Sequence, residues 1–157
     1  MDRFVSNFTN RLDAKGRVSI PAPFRAILAR DGFEGLYVHP ALDAPACDAG
    51  GHRLLSEIDA FLSGLPAYSD ERDQLSTALF GTSEILKVDQ EGRVGVSEQI
   101  RAHTGLTDAV TFVGLGHKFQ LWRPDRFQAH LAEARDRVRE LKRSFGREAR
   151  APGAREQ

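Results

Sequence analysis

An α+β protein made by duplicating one strand–turn–strand–helix unit is the fold class that this sequence predicts. Three observations predict it. Residues 11–28, RLDAKGRVSIPAPFRAIL, align with residues 87–104, KVDQEGRVGVSEQIRAHT, at a constant offset of 76. Apolar residues alternate with polar ones on both sides of an Asp- and Gly-containing turn in each copy, the period of a half-buried strand. Elsewhere apolar residues recur at the three-and-four spacing of amphipathic helices.

The repeat organises everything else, because a missed repeat miscalls the whole fold. Asp13 falls on Asp89, Gly16 on Gly92, Arg17 on Arg93 and Val18 on Val94. Arg11 falls on Lys87, Leu12 on Val88, Ile20 on Val96, Phe24 on Ile100 and Arg25 on Arg101. Chance can produce D-x-x-G-R twice, but it is much less able to match the flanking apolar and basic positions as well. In each turn the Asp side chain can bond its own backbone two residues on, and Gly supplies the positive φ that closes the turn.

Each element then follows in order. A helix starts at Pro21-Ala22-Pro23 in the first copy, burying Phe24, Ile27 and Leu28; in the second, Ser97 is the N-cap and Ile100 points inward. Val110–Val113 and Phe119–Trp122 flank the turn 114–118 as a hairpin, and Leu36–Pro40 echoes Gln120–Pro124 at an offset of 84. Ala41–Gly51, ALDAPACDAGG, reads as a loop by composition. Leu54, Leu55, Ile58, Phe61, Leu62 and Leu65 form a helical stripe, and Ser69–Phe80 reads as a further helix with Ser69 as N-cap and Leu75 and Leu79 inward. Phe127, Leu131, Ala134, Val138, Leu141 and Phe145 are spaced as a heptad seam on a C-terminal helix that Gly146 would stop. The expected organisation is a first repeat over 4–65, a helical connector over 66–82, a second repeat over 83–130, a helix extension over 131–146 and a disordered tail over 147–157.

Charge narrows the function classes. The net is zero over 157 residues, yet residues 1–30 carry six bases and two acids, residues 31–122 six bases and fourteen acids, and residues 123–157 ten bases and six acids. Basic ends on a neutral chain can face phosphates, because binding responds to the local field. The lone Cys47 argues against a disulfide framework, no stretch suits a membrane span, and the first residues lack the apolar region of a secretory signal, so the chain reads as cytoplasmic. The histidines His39, His52, His103, His117 and His130 lack metal-ligand spacing, so no metal or cofactor is expected. Cys47 lies near His39 and His52 in sequence, but no orienting or oxyanion group accompanies them, and an enzyme reading is set aside. Gly114-Leu115-Gly116 is only a fragment of a dinucleotide fingerprint. Trp122 is expected in the core.

The two motifs, Asp13-Ala14-Lys15-Gly16-Arg17 and Asp89-Gln90-Glu91-Gly92-Arg93, together with Val113-Gly114 and Leu121-Trp122-Arg123-Pro124 downstream, resemble the MraZ family of bacterial regulators over roughly residues 4–130. The resemblance implies an AbrB-like swapped-hairpin β-barrel made of two SpoVT-AbrB-type repeats. It also implies a ring-like homo-oligomer that binds double-stranded DNA at direct repeats in the promoter of a division and cell-wall gene cluster, including its own gene. Such a protein would be a nucleoid-associated regulator, with repression the expected direction. Carried over, the DNA contacts are Arg11, Lys15 and Arg17, then Arg3 and Arg25; Asp13, Gly16, Asp89, Gly92 and Arg93 mark the motifs. The second turn carries Gln90 and Glu91 where the first has Ala14 and Lys15, which sets the two turns apart. Arg17 reads two ways: a planar fork suited to guanine or phosphate, or an ion pair that holds Asp13. The rival from another class is a structural homo-oligomer with no sequence-specific DNA binding.

Overall fold

A computed structural model describes residues 2–150. The chain divides into two compact units, one ending at Pro124 and the other starting at Asp125.

In the first unit the order is β1 (Asn7–Arg11), β2 (Arg17–Ser19), α1 (Ala22–Asp31), β3 (Leu36–Pro40), β4 (Ala46–Gly50), α2 (His52–Ser63), α3 (Asp70–Ser76) and a π-helical turn (Thr77–Gly81). Then come β5 (Glu84–Leu86), β6 (Arg93–Gly95), α4 (Glu98–Thr104), β7 (Ala109–Gly114) and β8 (Phe119–Trp122). Six strands form one antiparallel sheet in the order β1-β7-β8-β4-β3-β5, and β2 pairs with β6 in a separate ribbon.

The duplication is visible in this pairing. Val18 and Val94, equivalent at the offset of 76, lie opposite each other, with Arg17 against Gly95 and Ser19 against Arg93. The ribbon is therefore symmetric about the valine pair. The large sheet is symmetric as well. Its order reads the same from either end if β1 matches β5, β7 matches β3 and β8 matches β4. Its centre is the β4–β8 pair, where Asp48 faces Gln120. This arrangement corrects the second echo: β3 occupies the place of β7, not of β8. It also fills the expected loop. Ala46–Gly50 is a fully buried strand, built of small residues because it is covered on both faces.

The sheet is open, so the closed barrel implied by the resemblance is not what forms. Its edges, β1 and β5, lie at opposite ends of the strand order. The strand after each turn leaves to pair with its counterpart in the other repeat. The Asn10 amide, donating to the Ser19 carbonyl at 2.8 Å, ties β1 to β2.

One side of the sheet buries Phe24, Leu28, Ile100, Phe112, Phe119 and Leu121 with Val18 and Val94 beneath α1 and α4. Ser97 caps α4 by accepting from the Ile100 amide, as its position before an apolar run dictates. On the other side Tyr37 packs with Leu54, Ile58, Leu62 and Leu79. Ser69 caps α3 as expected, accepting from the Arg72 amide. Phe61, expected inward, faces solvent at 57 % exposure. Trp122 is buried, and its indole N–H donates to Gln120 Oε1 at 2.9 Å.

The second unit contains the long helix α5, which spans Pro124–Arg150. It runs through Gly146, where the sequence placed its stop; one glycine costs a helix only about 1 kcal/mol, and polar helix formers surround it. The last seven residues of the expected tail, 151–157, lie outside the described residues. No described helix is long and apolar enough to cross a membrane.

Candidate nucleic-acid interface

Each motif builds the same turn. Asp13 Oδ1 accepts from the amides of Lys15 and Arg17, both at 2.9 Å, and Oδ2 accepts from Arg17 Nε at 2.8 Å. Asp89 does the same to Glu91, Arg93 and Arg93 Nε, at 2.9 Å each. Gly16 and Gly92 take φ of 76° and 80°, the left-handed region that only glycine enters at no steric cost. The ion-pair reading of Arg17 is thus correct at Nε. It leaves the terminal nitrogens: among the described residues, neither Nη of Arg17 has an acceptor. In the second turn Arg93 Nη2 meets the Glu91 carboxylate at 3.3 Å. The first turn presents a guanidinium held at its base and open at its tip; the second presents one already engaged.

The Arg17 amide, more than any other group, pulls the Asp13 carboxyl below the ordinary carboxylate value of 3.8; desolvation opposes it, while the Arg17 guanidinium and the Lys15 amide assist. Asp89 is lowered by the corresponding groups of its own turn, the Arg93 amide foremost. A carboxylate whose folded value is depressed contributes stability above its unfolded value and loses it as pH falls through the folded one. Both turns should therefore stay formed at pH 5 and loosen only in acid below about 3.8. Carboxyl NMR titration should give midpoints below 3.8 for both residues. A midpoint at or above that value would mean that the turn hydrogen bonds are not populated.

The two repeats complete each other's turns. The Ile20 amide donates to the Gly92 carbonyl and the Val96 amide to the Gly16 carbonyl, both at 2.9 Å. Arg25 of the first repeat lies over Gly92 and donates to the Glu91 carbonyl at 2.9 Å. Arg101, its counterpart in the second repeat, lies over Gly16, 3.1 Å from where a Cβ would stand. Each arginine thus covers the opposite repeat's turn.

This redistributes the expected contact residues. Lys15 and Arg17 sit together on the first turn, and exposed Arg11 ends β1 just before it. Arg25 joins the second turn instead. Arg3 is exposed ahead of β1, next to Phe4, which bridges Gly116 of the β7–β8 turn; the whole of β1, about 13 Å long, lies between it and Arg11. Arg101 is the residue that sequence reasoning missed. Its match to Arg25 was visible, but the crossing of the repeats was not.

Other chemistry finds no site. Cys47 lies buried in β4, and burial pushes its thiol up to about 12, far from a nucleophile's range. His39 faces Asp48 on the opposite side of the sheet from Cys47, at 3.4 Å. Among the described residues no group of three or more His, Cys, Asp or Glu side chains could hold a metal.

Comparison with known proteins identifies the family. The family model described as "MraZ protein, putative antitoxin-like" matches residues 79–148. The transcriptional regulator MraZ of Methylocella silvestris is 64% identical, covering 98% of this chain and 94% of its own length. That of Beijerinckia indica is 65% identical with the same coverage, and that of Rhizobium meliloti 43% identical over 87% of this chain and 93% of its own. At such identity over almost its whole length, this chain belongs to the MraZ family of transcriptional regulators.

Proposed function

We propose that this chain is a sequence-specific DNA-binding repressor whose principal reading surface is the first turn. The open Arg17 guanidinium, fixed at Nε by Asp13, carries the proposal. A fork held at its base loses little freedom when its tip meets guanine O6 and N7 or a phosphate. Lys15, Arg11 and Arg101 surround it with positive charge for backbone contact. The second turn, with Glu91 on Arg93, repels phosphate where the first attracts it.

The remaining details follow the family resemblance. The operator is a set of direct repeats upstream of a division and cell-wall gene cluster that includes this gene, and the protein is nucleoid-associated. The β2–β6 ribbon, with one strand from each repeat, is the element that a swapped-hairpin fold would interlock. One good basic turn per chain is a weak anchor, so several chains act together as a ring-like homo-oligomer, which raises the effective concentration of each turn once the first has landed.

A footprint on the DNA upstream of this gene tests the reading. Protection should appear as two or more segments spaced by about one helical turn, roughly 10 bp. DNAs carrying one, two and three half-sites should bind progressively tighter. Uniform protection without spacing, or equal affinity for one and two half-sites, would return the protein to the structural-oligomer reading.

A further inference from the structure

We propose that α5 of one copy docks, apolar seam first, into the cleft between α2 and the β7–β8 turn of a second copy. The proposal rests on the self-assembly reading above and names its two surfaces. Each surface is defined within one unit of the chain.

The first surface is the seam of α5. Val138, Leu141 and Phe145 are 61 %, 53 % and 64 % exposed. With Leu131 and Ala134 they run about 21 Å along the helix. In heptad terms Leu131, Val138 and Phe145 are a positions, Ala134 and Leu141 are d positions, Arg135 and Lys142 are e positions, and Arg137 is a g position. Pairing two such helices fails on charge. In parallel, Arg137 would face Lys142 of the other copy; in antiparallel, Arg135 and Lys142 would face each other. Between residues 131 and 148 the helix carries six bases and four acids. Its seam therefore fits an apolar surface with an acidic rim.

The second surface is such a place. A cleft of about 380 Å³ opens over the centre of the sheet. Leu54, Ile58 and Leu79 line its wall. Leu42 and Phe61 stand at its rim, 56 % and 57 % exposed. Asp43, Asp48 and Glu57 line it against one lysine, Lys118. Asp48 is already engaged, by Lys118 at 2.9 Å and Gln120 at 2.7 Å. Exposed Asp43 remains to meet an incoming cation, and exposed Glu57, one oxygen of which meets His117 at 2.9 Å, has its other oxygen to offer. Five of the nine large apolar side chains exposed among the described residues belong to these two surfaces. Because the surfaces differ, the contact is head-to-tail, the kind that propagates until it closes.

Molar mass by light scattering tests this on the full chain. Leu141→Asp and Phe61→Asp, both at exposed positions, should each raise the concentration for half-dissociation by at least about tenfold, toward the 17.4 kDa single chain. Near-ultraviolet dichroism checks that each variant is folded. Charge reversal gives the decisive arm. The helix pair Arg135→Glu with Lys142→Glu, and the cleft pair Asp43→Lys with Glu57→Lys, should each weaken assembly. Mixing these two proteins should rebuild assemblies in which the two variants alternate, because the intact helix meets the intact cleft and the reversed helix meets the reversed cleft. All four changes on one chain should restore the native mass. Native mass in both aspartate variants, or no rescue by the fourfold reversal, overturns the docking while leaving assembly itself standing. A native protein that is already a single chain overturns both, and loss of assembly from one surface only would assign that surface a different occupant.

Discussion

Phe24→Ala should cost about 3–5 kcal/mol of stability, among the largest losses expected from a single side chain here. Phe24 is fully buried at the start of α1. Its ring meets Phe4 at 5.3 Å, Phe8 at 5.5 Å and Phe119 at 4.9 Å between centroids. These partners come from the N-terminal segment, β1 and β8, so the ring joins both repeats. Truncation leaves a cavity that rigid strands on several sides cannot close. The equivalent position in the second repeat holds Ile100, also buried; Ile100→Val should cost only about 0.5–1.5 kcal/mol. Urea denaturation at fixed protein concentration measures both. A Phe24→Ala loss no larger than that of Ile100→Val would show that the aromatic cluster is not a keystone.

Arg17→Ala should weaken operator binding by about 1–3 kcal/mol, a drop of one to two orders of magnitude at the upper end. Arg93→Ala should do distinctly less, because Glu91 already occupies its guanidinium. Stability separates binding from folding. Both substitutions remove the same contact, a pairing of Nε with a turn aspartate at 2.8 or 2.9 Å. Such exposed pairs contribute little to stability, so the two variants should melt nearly together. Gel-shift titration then reads the difference that remains. Equal binding losses, or a greater one for Arg93→Ala, would refute the asymmetry between the turns. Arg101→Ala belongs in the same series: a loss with Arg101 but not with Arg25 would place the second repeat's arginine on the first turn's surface.

What the sequence made legible was local. The Asp and Gly of each turn and the Ser69 and Ser97 caps follow from bonding within a few residues and formed as expected, and so did the α2 stripe at Leu54, Ile58 and Leu62, though not at Phe61. Placement across the molecule was not legible. Arg25 reads as a neighbour of Arg17 because eight positions separate them in the chain, yet the pairing of β2 with β6 carries it to the other turn. Strand β4 was hidden for a related reason. Alanine, glycine and aspartate have poor strand propensity, but a strand sandwiched at the sheet centre needs small side chains, and Asp48 is satisfied there by Lys118 and Gln120. The heptad seam was legible as a pattern; its e and g charges distinguish a self-paired coiled coil from a different use.

The exchange of strands between repeats bears on how this chain must be made. Asn7–Arg11 finds its backbone partners only in Ala109–Val113, about a hundred residues later. A ribosome adding about 5–20 residues per second needs roughly 5–20 seconds to span that gap. During that interval Phe8, Val18 and Phe24 have emerged while Val94, Phe112 and Phe119, on which their burial depends, have not. The first unit therefore cannot close its sheet or its core until the second repeat has been made, and a chain cut between the repeats should leave each fragment without the partner strands it needs.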